Sequence, residues 1–361
     1  MEKLTIVIPN RNRDLKIVKQ SLKSIHPQLI DHVTITLVDY GSALSYQRQL
    51  KEVIDGFKGI ELIICPVQGQ LWNKSRCINL ILKNTTAKHL MVSDMDLIWH
   101  PDFLETMLPQ LDNKSTSYFP VGFMSQEESV KDVSFHQRTI KFMSNEEATG
   151  ISIFPVHQLL EINGFDEFYH GWGSEDTDVH VRLKKAGFEV RFRESEVLFK
   201  HQWHAKFYRN KSSTEPFHGA LEKINQQYLL LTRKIEFPTY NQINDKKWGV
   251  LPVPETYDKL EHPDLFLNVY HVHADLMAML FKLRSIQRIC VSVTVKHHSK
   301  KGSLKTKLKK ILGKKIINFI SASISNELIL ELLIDRFRNC PYKYQFNRET
   351  GEIKLVINII D

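Results

Sequence analysis

Three short segments of this chain hold residues whose types and spacing can do chemistry. Ser93-Asp94-Met95-Asp96 follows an apolar run, Leu90 to Val92, and sets two carboxylates on either side of a single residue. In extended backbone such a pair points to the same side, and hard carboxylate oxygens suit a divalent cation that bridges a diphosphate. An ordinary Asp-containing turn is the competing reading. Gly171-Trp172-Gly173-Ser174-Glu175-Asp176-Thr177-Asp178 places three acids at the start of an expected helix. A Ser174 cap and the helix dipole would explain one of them. Three acids beside a Trp fit a cleft better: Asp176 is a candidate general base that takes the proton of an attacking hydroxyl, and Trp172 offers a flat face to a sugar ring. His201-Gln202-Trp203-His204 carries two imidazoles that can converge from a turn on one ion. With Asp96 they would make a suitable Mn²⁺ site. His271, His273, His297 and His298 have no acidic partner pattern and read as surface residues.

These segments need a scaffold, and the first hundred residues supply the pattern of one. Apolar runs at Leu4 to Ile8, Val33 to Asp39, Ile60 to Ile64 and His89 to Ser93 alternate with amphipathic stretches such as Leu44 to Ile54 and Trp72 to Leu82. That alternation is the signature of a parallel sheet covered by helices. Ligands of such sheets bind outside the carboxyl ends of the strands, where this chain places Pro9-Asn10-Arg11-Asn12-Arg13 and Asp39-Tyr40-Gly41-Ser42. Arginine forks match phosphate oxygens, and an aspartate can accept the imide N–H of uracil. Beyond residue 150 the pattern gives a strand Ile151 to Phe154, a helix, a loop Asn163 to Ser174, and a helix Glu175 to Ala186 stopped by Gly187. Strands Val190 to Phe192 and Val197 to Phe199 follow.

With 361 residues, 42% of them hydrophobic, the chain has room for about two domains. Its charge of +8 is unevenly spread: residues 1–210 carry 25 Lys+Arg against 26 Asp+Glu, and residues 211–361 carry 24 against 15. We therefore expect a catalytic domain over 1–210 and a basic region over 211–361. The latter begins as a loop-rich linker with Pro238, Pro252 and Pro254, continues helix-rich, and ends in a hairpin of Tyr342 to Phe346 and Ile353 to Ile359. From Lys296 to Lys315 there are nine lysines and no acid, with Leu304, Leu308, Ile311, Leu312, Phe319 and Ile320 at helical spacing. Such a helix can lie on an anionic membrane face, or pack on a core with its lysines in water. It lacks the interleaved aromatics of a nucleic-acid surface, so no nucleic acid is expected. The four cysteines are scattered and read as buried free thiols of a reducing compartment. Met1 leads straight into a short strand, and no apolar run nears the ~18 residues of a membrane span. A cytoplasmic chain, at most peripheral on the inner membrane face, is expected.

Four blocks, in order and with similar spacing, resemble the β-1,4-galactosyltransferase family. They are Pro9 to Arg13, Trp72-Asn73-Lys74-Ser75-Arg76-Cys77-Ile78-Asn79, Val92 to Ile98, and Ile162-Asn163-Gly164-Phe165 running into Gly171 to Asp176. They are also similar to bacterial capsule and chondroitin-polymerase-type members of glycosyltransferase family 2. The resemblance implies a GT-A α/β fold: a Rossmann-like, mostly parallel sheet with helices on both faces, here followed by a smaller C-terminal α+β region. It implies an inverting transferase in which Asp96 binds Mn²⁺ (or Mg²⁺) with His201 and His204, and Asp94 serves metal and nucleotide. Galactosyltransferases carry Met where this chain has His201. Asp176 would be the base; Trp172, Gly173 and Glu175 would shape the donor and acceptor sites. Pro9, Arg11, Arg13 and Asp39 would hold the nucleotide, and Lys74 or Arg76 would reach its phosphates.

Two departures bear on the substrate. Ahead of Gly150, where those enzymes use aromatic residues to choose the sugar, stands Asn145-Glu146-Glu147-Ala148-Thr149. The UDP-sugar is left open among galactose, N-acetylgalactosamine and similar donors. The animal enzymes' membrane anchor is also missing, which suggests a bacterial-type enzyme using a glycan or lipid-linked acceptor. One catalytic domain implies addition of a single sugar type. A sugar nucleotidyltransferase would want a glycine-rich loop after the first strand, and Asn10 to Arg13 has no glycine. A glycan- or membrane-binding protein on a decayed transferase fold would have no use for Asp94, Asp96, Asp176, His201 and His204 together.

Overall fold

The computed structural model describes residues 3–194, 197–205, 221–235, 243–244, 248–299, 312 and 316–360. They form two compact units. The first takes residues up to Cys65, then Trp72–Ala205 and Glu222–Val250; the second takes Pro66–Leu71 and the residues from Leu251 onward.

The first unit is built on strands β1 (Leu4–Asn10), β2 (Val33–Tyr40), β3 (Ile60–Cys65), β4 (His89–Val92), β5 (Leu97–Trp99), β6 (Ser115–Tyr118), β7 (Gly122–Phe123), β8 (Phe142–Met143), β9 (Ser152–Pro155), β10 (Glu189–Phe192) and β11 (Phe199–His201). Seven of them form a sheet in the order β10-β6-β9-β4-β1-β2-β3. β1, β2, β3 and β4 run parallel, and β9 runs antiparallel to both its neighbours. This is the α/β class expected. Every residue of β1 is buried, as it must be in the centre of a sheet covered by helices. The helix Lys74–Leu82 packs on β1 and β2, and its start is fixed by Asn73, whose side chain accepts from the Arg76 amide.

Register decides what meets at the carboxyl ends. Asn10 pairs with Asp39 at the tips of β1 and β2. β4 pairs with β1 only as far as Val7↔Val92, so the chain leaves the sheet early and delivers Ser93 to Asp96 beside the Pro9–Arg13 segment. A second sheet, β5-β11-β7-β8, then carries the chain on from Asp96.

The second unit has strands β12 (Leu265–Tyr270), β13 (Ile289–Lys296), β14 (Tyr342–Phe346) and β15 (Ile353–Ile359) in the order β12-β13-β15-β14. The helix His273–Ser285 joins the parallel pair β12 and β13. β14 and β15 form the expected hairpin, turned by Gly351 at φ 72°.

Several expectations need correcting. Residues 221–234, read as linker, form a helix whose Asn225 and Tyr228 bond to His170 and Asp166 of the first unit; its apolar residues are spaced to bury one stripe. The last predicted strand of the first unit is Phe199–His201, two residues later than its apolar run suggested, because its pairing partner is β5. Lys296 closes β13, Phe319 forms a β-bridge with Val272, and most of the intervening lysine run lies outside the described residues. His271 is buried, with Nδ1 at 2.8 Å from Ser325 Oγ and Nε2 at 2.9 Å from the Gly351 carbonyl. It ties β12 to the hairpin turn, so its partners are neutral groups that a search for acids misses. All four cysteines are buried free thiols, as expected. No helix among the described residues is long and apolar enough to cross a membrane.

Candidate functional site

One cluster forms around Asp96. β5 starts immediately after it, and the antiparallel register of β11 on β5 sets His201 opposite Leu97. The next residue, Gln202, donates its amide to the Asp96 carbonyl at 2.8 Å. The turn that follows brings His204 back, so His201 Nε2 lies 3.3 Å from Asp96 Oδ1 and His204 Nε2 3.2 Å from Oδ2. Arg13 reaches Oδ2 at 3.1 Å. Asp96 is buried, which opposes ionisation, but His201, His204 and Arg13 outweigh burial and hold its carboxyl well below the usual range. One ligand atom from each of Asp96, His201 and His204 lies within 4.8 Å of the others. Among the described residues Asp96 Oδ1 is buried without a hydrogen-bond donor, an arrangement that costs free energy unless something else satisfies it. A divalent cation fits this set: one hard oxygen, two imidazoles and an unsatisfied buried lone pair. The sequence's departure at His201 is thus a residue that faces Asp96 directly.

A second cluster surrounds Lys74. Its ammonium lies 2.9 Å from Asp176 Oδ2, 3.0 Å from Asp94 Oδ1 and 3.8 Å from Glu175 Oε1. Burial works against its charge, yet Asp176, Asp94 and Glu175 together raise its pKa well above the ordinary value. Asp176 is also raised: burial first, then Glu175 and Asp94, prevail over Lys74. Gly150 backs this cluster, since a Cβ there would sit 3.4 Å from Asp94 Oδ2 and 3.5 Å from Asp176 Oδ2. The acids at the start of the helix Glu175–Lys185 are not explained by a serine cap. Ser174 has φ 78° and makes no side-chain cap bond, a left-handed conformation that only the surrounding fold sustains. Trp172 stands nearly half exposed next to Gly173, whose φ of 100° suits glycine.

At the tips of β1 and β2, Asp39 is fully buried and accepts from Asn10 Nδ2, Ser42 Oγ and Gln47 Nε2 at 2.9, 2.5 and 2.9 Å. Three internal donors leave it little capacity for a further one. Asn12, at φ 48°, pins the same loop by bonding to Ser42 and Ala43. Pro9 is buried in β1; Arg11 and Arg13 are half-buried where the chain leaves the sheet.

Arg76 is not at the site. Its guanidinium is buried against Glu167, with Nε and Nη2 2.8 and 2.7 Å from Oε2. The resemblance assigned Lys74 or Arg76 to the phosphates, and the structure separates the two, as i and i+2 on a helix must be: Lys74 turns to the acids, Arg76 to the interior. The motif residues that sequence reading passed over build this interior. Glu167 Oε1 accepts from Asn79 at 3.1 Å and from the Gly249 amide at 2.7 Å. Asn73 donates to the Glu167 carbonyl, and Asn79 to that of Phe165. Asp178 takes Arg182 Nε at 2.6 Å and Tyr169 Oη at 3.1 Å, while Arg182 also binds the Ile162 and Gly164 carbonyls. The loop from Asn163 to Ser174 is therefore held from two helices, which fixes where Trp172 to Asp176 stand. Charged residues inside otherwise buried helix faces were the available signal, but not their partners.

Residues 5–161 match the glycosyl transferase family 2 profile, and residues 132–204 match that of the N-terminal domain of galactosyltransferase. Chondroitin sulfate synthase 3 of Mus musculus is 24% identical over 210 residues, 55% of this chain and 22% of that protein. Beta-1,4-galactosyltransferase 4 of Mus musculus is 24% identical over 189 residues, 51% of this chain and 43% of that protein. The matched regions thus span less than half of either relative. The crystal structure of S. aureus TarS 1-349 in complex with UDP-GlcNAc superposes with a TM-score of 0.47 at 11% identity, over 64% of this chain and 66% of that one.

Proposed function

We propose that this chain, a glycosyltransferase resembling family 2 and the β-1,4-galactosyltransferases, is a metal-dependent inverting enzyme. It moves a sugar from a UDP-sugar, galactose, N-acetylgalactosamine or a similar one, to a glycan or lipid-linked saccharide in surface polysaccharide synthesis. The observation that carries the reading is the convergence of Asp96, His201 and His204 on one point, two residues along the chain from the Asp94 that meets Lys74 and Asp176. Catalysis would be assigned to residues 1–210, and residues 211–361 would contact acceptor or membrane surface at the cytoplasmic face.

In this reading Asp96, His201 and His204 hold Mn²⁺ or Mg²⁺, which when bound supplies Lewis-acid stabilisation of the departing diphosphate. Arg11 and Arg13 flank the phosphates with donors, and Lys74 adds a positive charge that can pair with them. Asp176 takes the acceptor's proton; burial, then Glu175 and Asp94, raise its pKa above the ordinary carboxylate value, which makes it a stronger base. Trp172 offers a face to a sugar ring, and Gly173 and Glu175 shape the space beside it.

The test is hydrolysis and transfer with a panel of UDP-sugars, with and without Mn²⁺, comparing wild type with Asp96→Ala and Asp176→Asn. Asp96→Ala should abolish metal-dependent turnover. Asp176→Asn should lower kcat by about 10²- to 10⁴-fold with little change in UDP affinity. Absence of any metal-dependent UDP binding in the wild type would refute the proposal.

A further inference from the structure

An imidazole that binds a metal is normally oriented by a hydrogen bond from its other ring nitrogen. His204 has such a contact, Nδ1 to the Ala205 carbonyl at 3.2 Å. His201 packs against a ring. The register of the second sheet lines up Phe142, Phe123, His201 and Leu97 across β8, β7, β11 and β5. Phe123 and Phe142 stack with centroids 4.7 Å apart and planes within 6°. Phe123 and His201 follow at 4.7 Å and 32°, then His201 and His204 at 5.3 Å and 40°.

This row is built, not incidental. The Met124 amide bonds to the His201 carbonyl at 3.1 Å, and the Lys141 amide to the Phe123 carbonyl at 2.8 Å. Gly122 lets the two short strands close on Ile140, since a Cβ there would lie 2.5 Å from Ile140 Cδ1. Phe142 is 56% exposed, so the outer ring contributes little to the core and its place is against Phe123.

We infer that Phe123 is a positioning residue for His201: the stacked pair Phe142–Phe123 holds the imidazole with Nε2 toward Asp96. The inference rests on the metal-binding reading above. It also gives the hairpin from Gly122 to Met143 a role in metal affinity, although it supplies no ligand.

The experiment measures Mn²⁺ affinity directly, from the electron paramagnetic resonance signal of free Mn²⁺, in wild type, Phe123→Ala, Phe123→Tyr, Phe142→Ala, His201→Ala and Phe123→Ala/His201→Ala. Loss of a residue that orients a ligand typically weakens metal binding about 10- to 100-fold, and Phe123→Ala should fall in that range. Phe123→Tyr should stay within about threefold of wild type and Phe142→Ala between the two, since one retains the stacked ring and the other removes only its outer partner. In the His201→Ala background, Phe123→Ala should cause no further loss, because the two act through one ligand. The same variants loaded with Co²⁺ should show the visible spectrum of Phe123→Ala shifted toward that of His201→Ala. An unchanged affinity in Phe123→Ala, or an equal further loss in the His201→Ala background, would overturn the inference. If Phe123→Ala does not fold, Phe142→Ala decides: unchanged Mn²⁺ affinity there overturns it. A wild type that binds no Mn²⁺ removes the metal reading itself.

Discussion

Arg76→Met should unfold this protein more easily without touching donor binding. Arg76 and Glu167 are each about 2% exposed, and the guanidinium meets Glu167 Oε2 at 2.7 and 2.8 Å. Removing one partner of a buried pair costs about 3–5 kcal/mol. The two single changes should differ. After Arg76→Met, Glu167 keeps donors from Asn79 and Gly249 and can also take up a proton, so about 3 kcal/mol is expected. After Glu167→Gln, the guanidinium cannot discharge, and the cost should approach about 5 kcal/mol. At about 2–4 °C per kcal/mol for a unit of this size, Tm should fall by about 6–12 °C and 10–20 °C respectively. Arg76→Met/Glu167→Leu should recover much of the loss, because no charge is left buried. Urea unfolding gives the stabilities, and calorimetric titration with UDP at low temperature, where all variants are folded, gives the affinities. UDP affinity should be unchanged in Arg76→Met and should fall at least about tenfold in Lys74→Met, which loses a desolvated charge. An Arg76→Met protein with wild-type Tm and UDP affinity as poor as that of Lys74→Met would refute this assignment and return Arg76 to the phosphates.

Three further outcomes follow from the same geometry. Burial, with a smaller push from Lys184, lowers His180 from 6.5 to about 3. The unfolded chain therefore takes up a proton at His180 as pH falls below 6.5 while the native state does not, so this residue's penalty grows from pH 6.5 down to 3 at about 1.4 kcal/mol per unit. Between pH 7 and 5, His180→Gln should lose about 2 kcal/mol less stability than wild type in parallel urea titrations; an identical loss in both would mean His180 is charged in the fold. Gly150→Ala should fold normally, because its Cβ meets Asp94 and Asp176 at ordinary contact distance. Gly150→Val adds methyls toward those carboxylates and should cut turnover by at least about tenfold without lowering Tm; equal turnover in both variants would place the reacting groups elsewhere. Gly164→Ala should destabilise by at least about 2 kcal/mol in chemical denaturation, since φ is 70° and the Cβ would lie 2.5 Å from Asn79 Oδ1 and 2.6 Å from the Trp248 ring. A wild-type midpoint there would show that the loop shifts freely.

The sequence by itself determined what is local. Apolar runs of strand length alternating with helical ones gave the α/β order, because burial on two faces and burial on one stripe leave different periods in the chain. Position at a strand's carboxyl end then singled out Asp94, Asp96 and the Pro9–Arg13 segment, and a helix start singled out Asp176. Residue chemistry named His201 and His204. Tertiary structure decided which of these meet. His201 and His204 reach Asp96, about a hundred positions away, only through the register of β11 on β5; a slip by one residue would turn the imidazole to the other face. Lys74 and Arg76 look alike in sequence. They part because one faces Asp94, Glu175 and Asp176 and the other a buried Glu167, partners set 20 to 102 positions away. The role of Phe123 was equally hidden, since stacking across strands needs their order in the sheet. Periodicity is a property of neighbours along the chain, whereas a binding site is an agreement among distant residues, and packing of the whole unit is what enforces it.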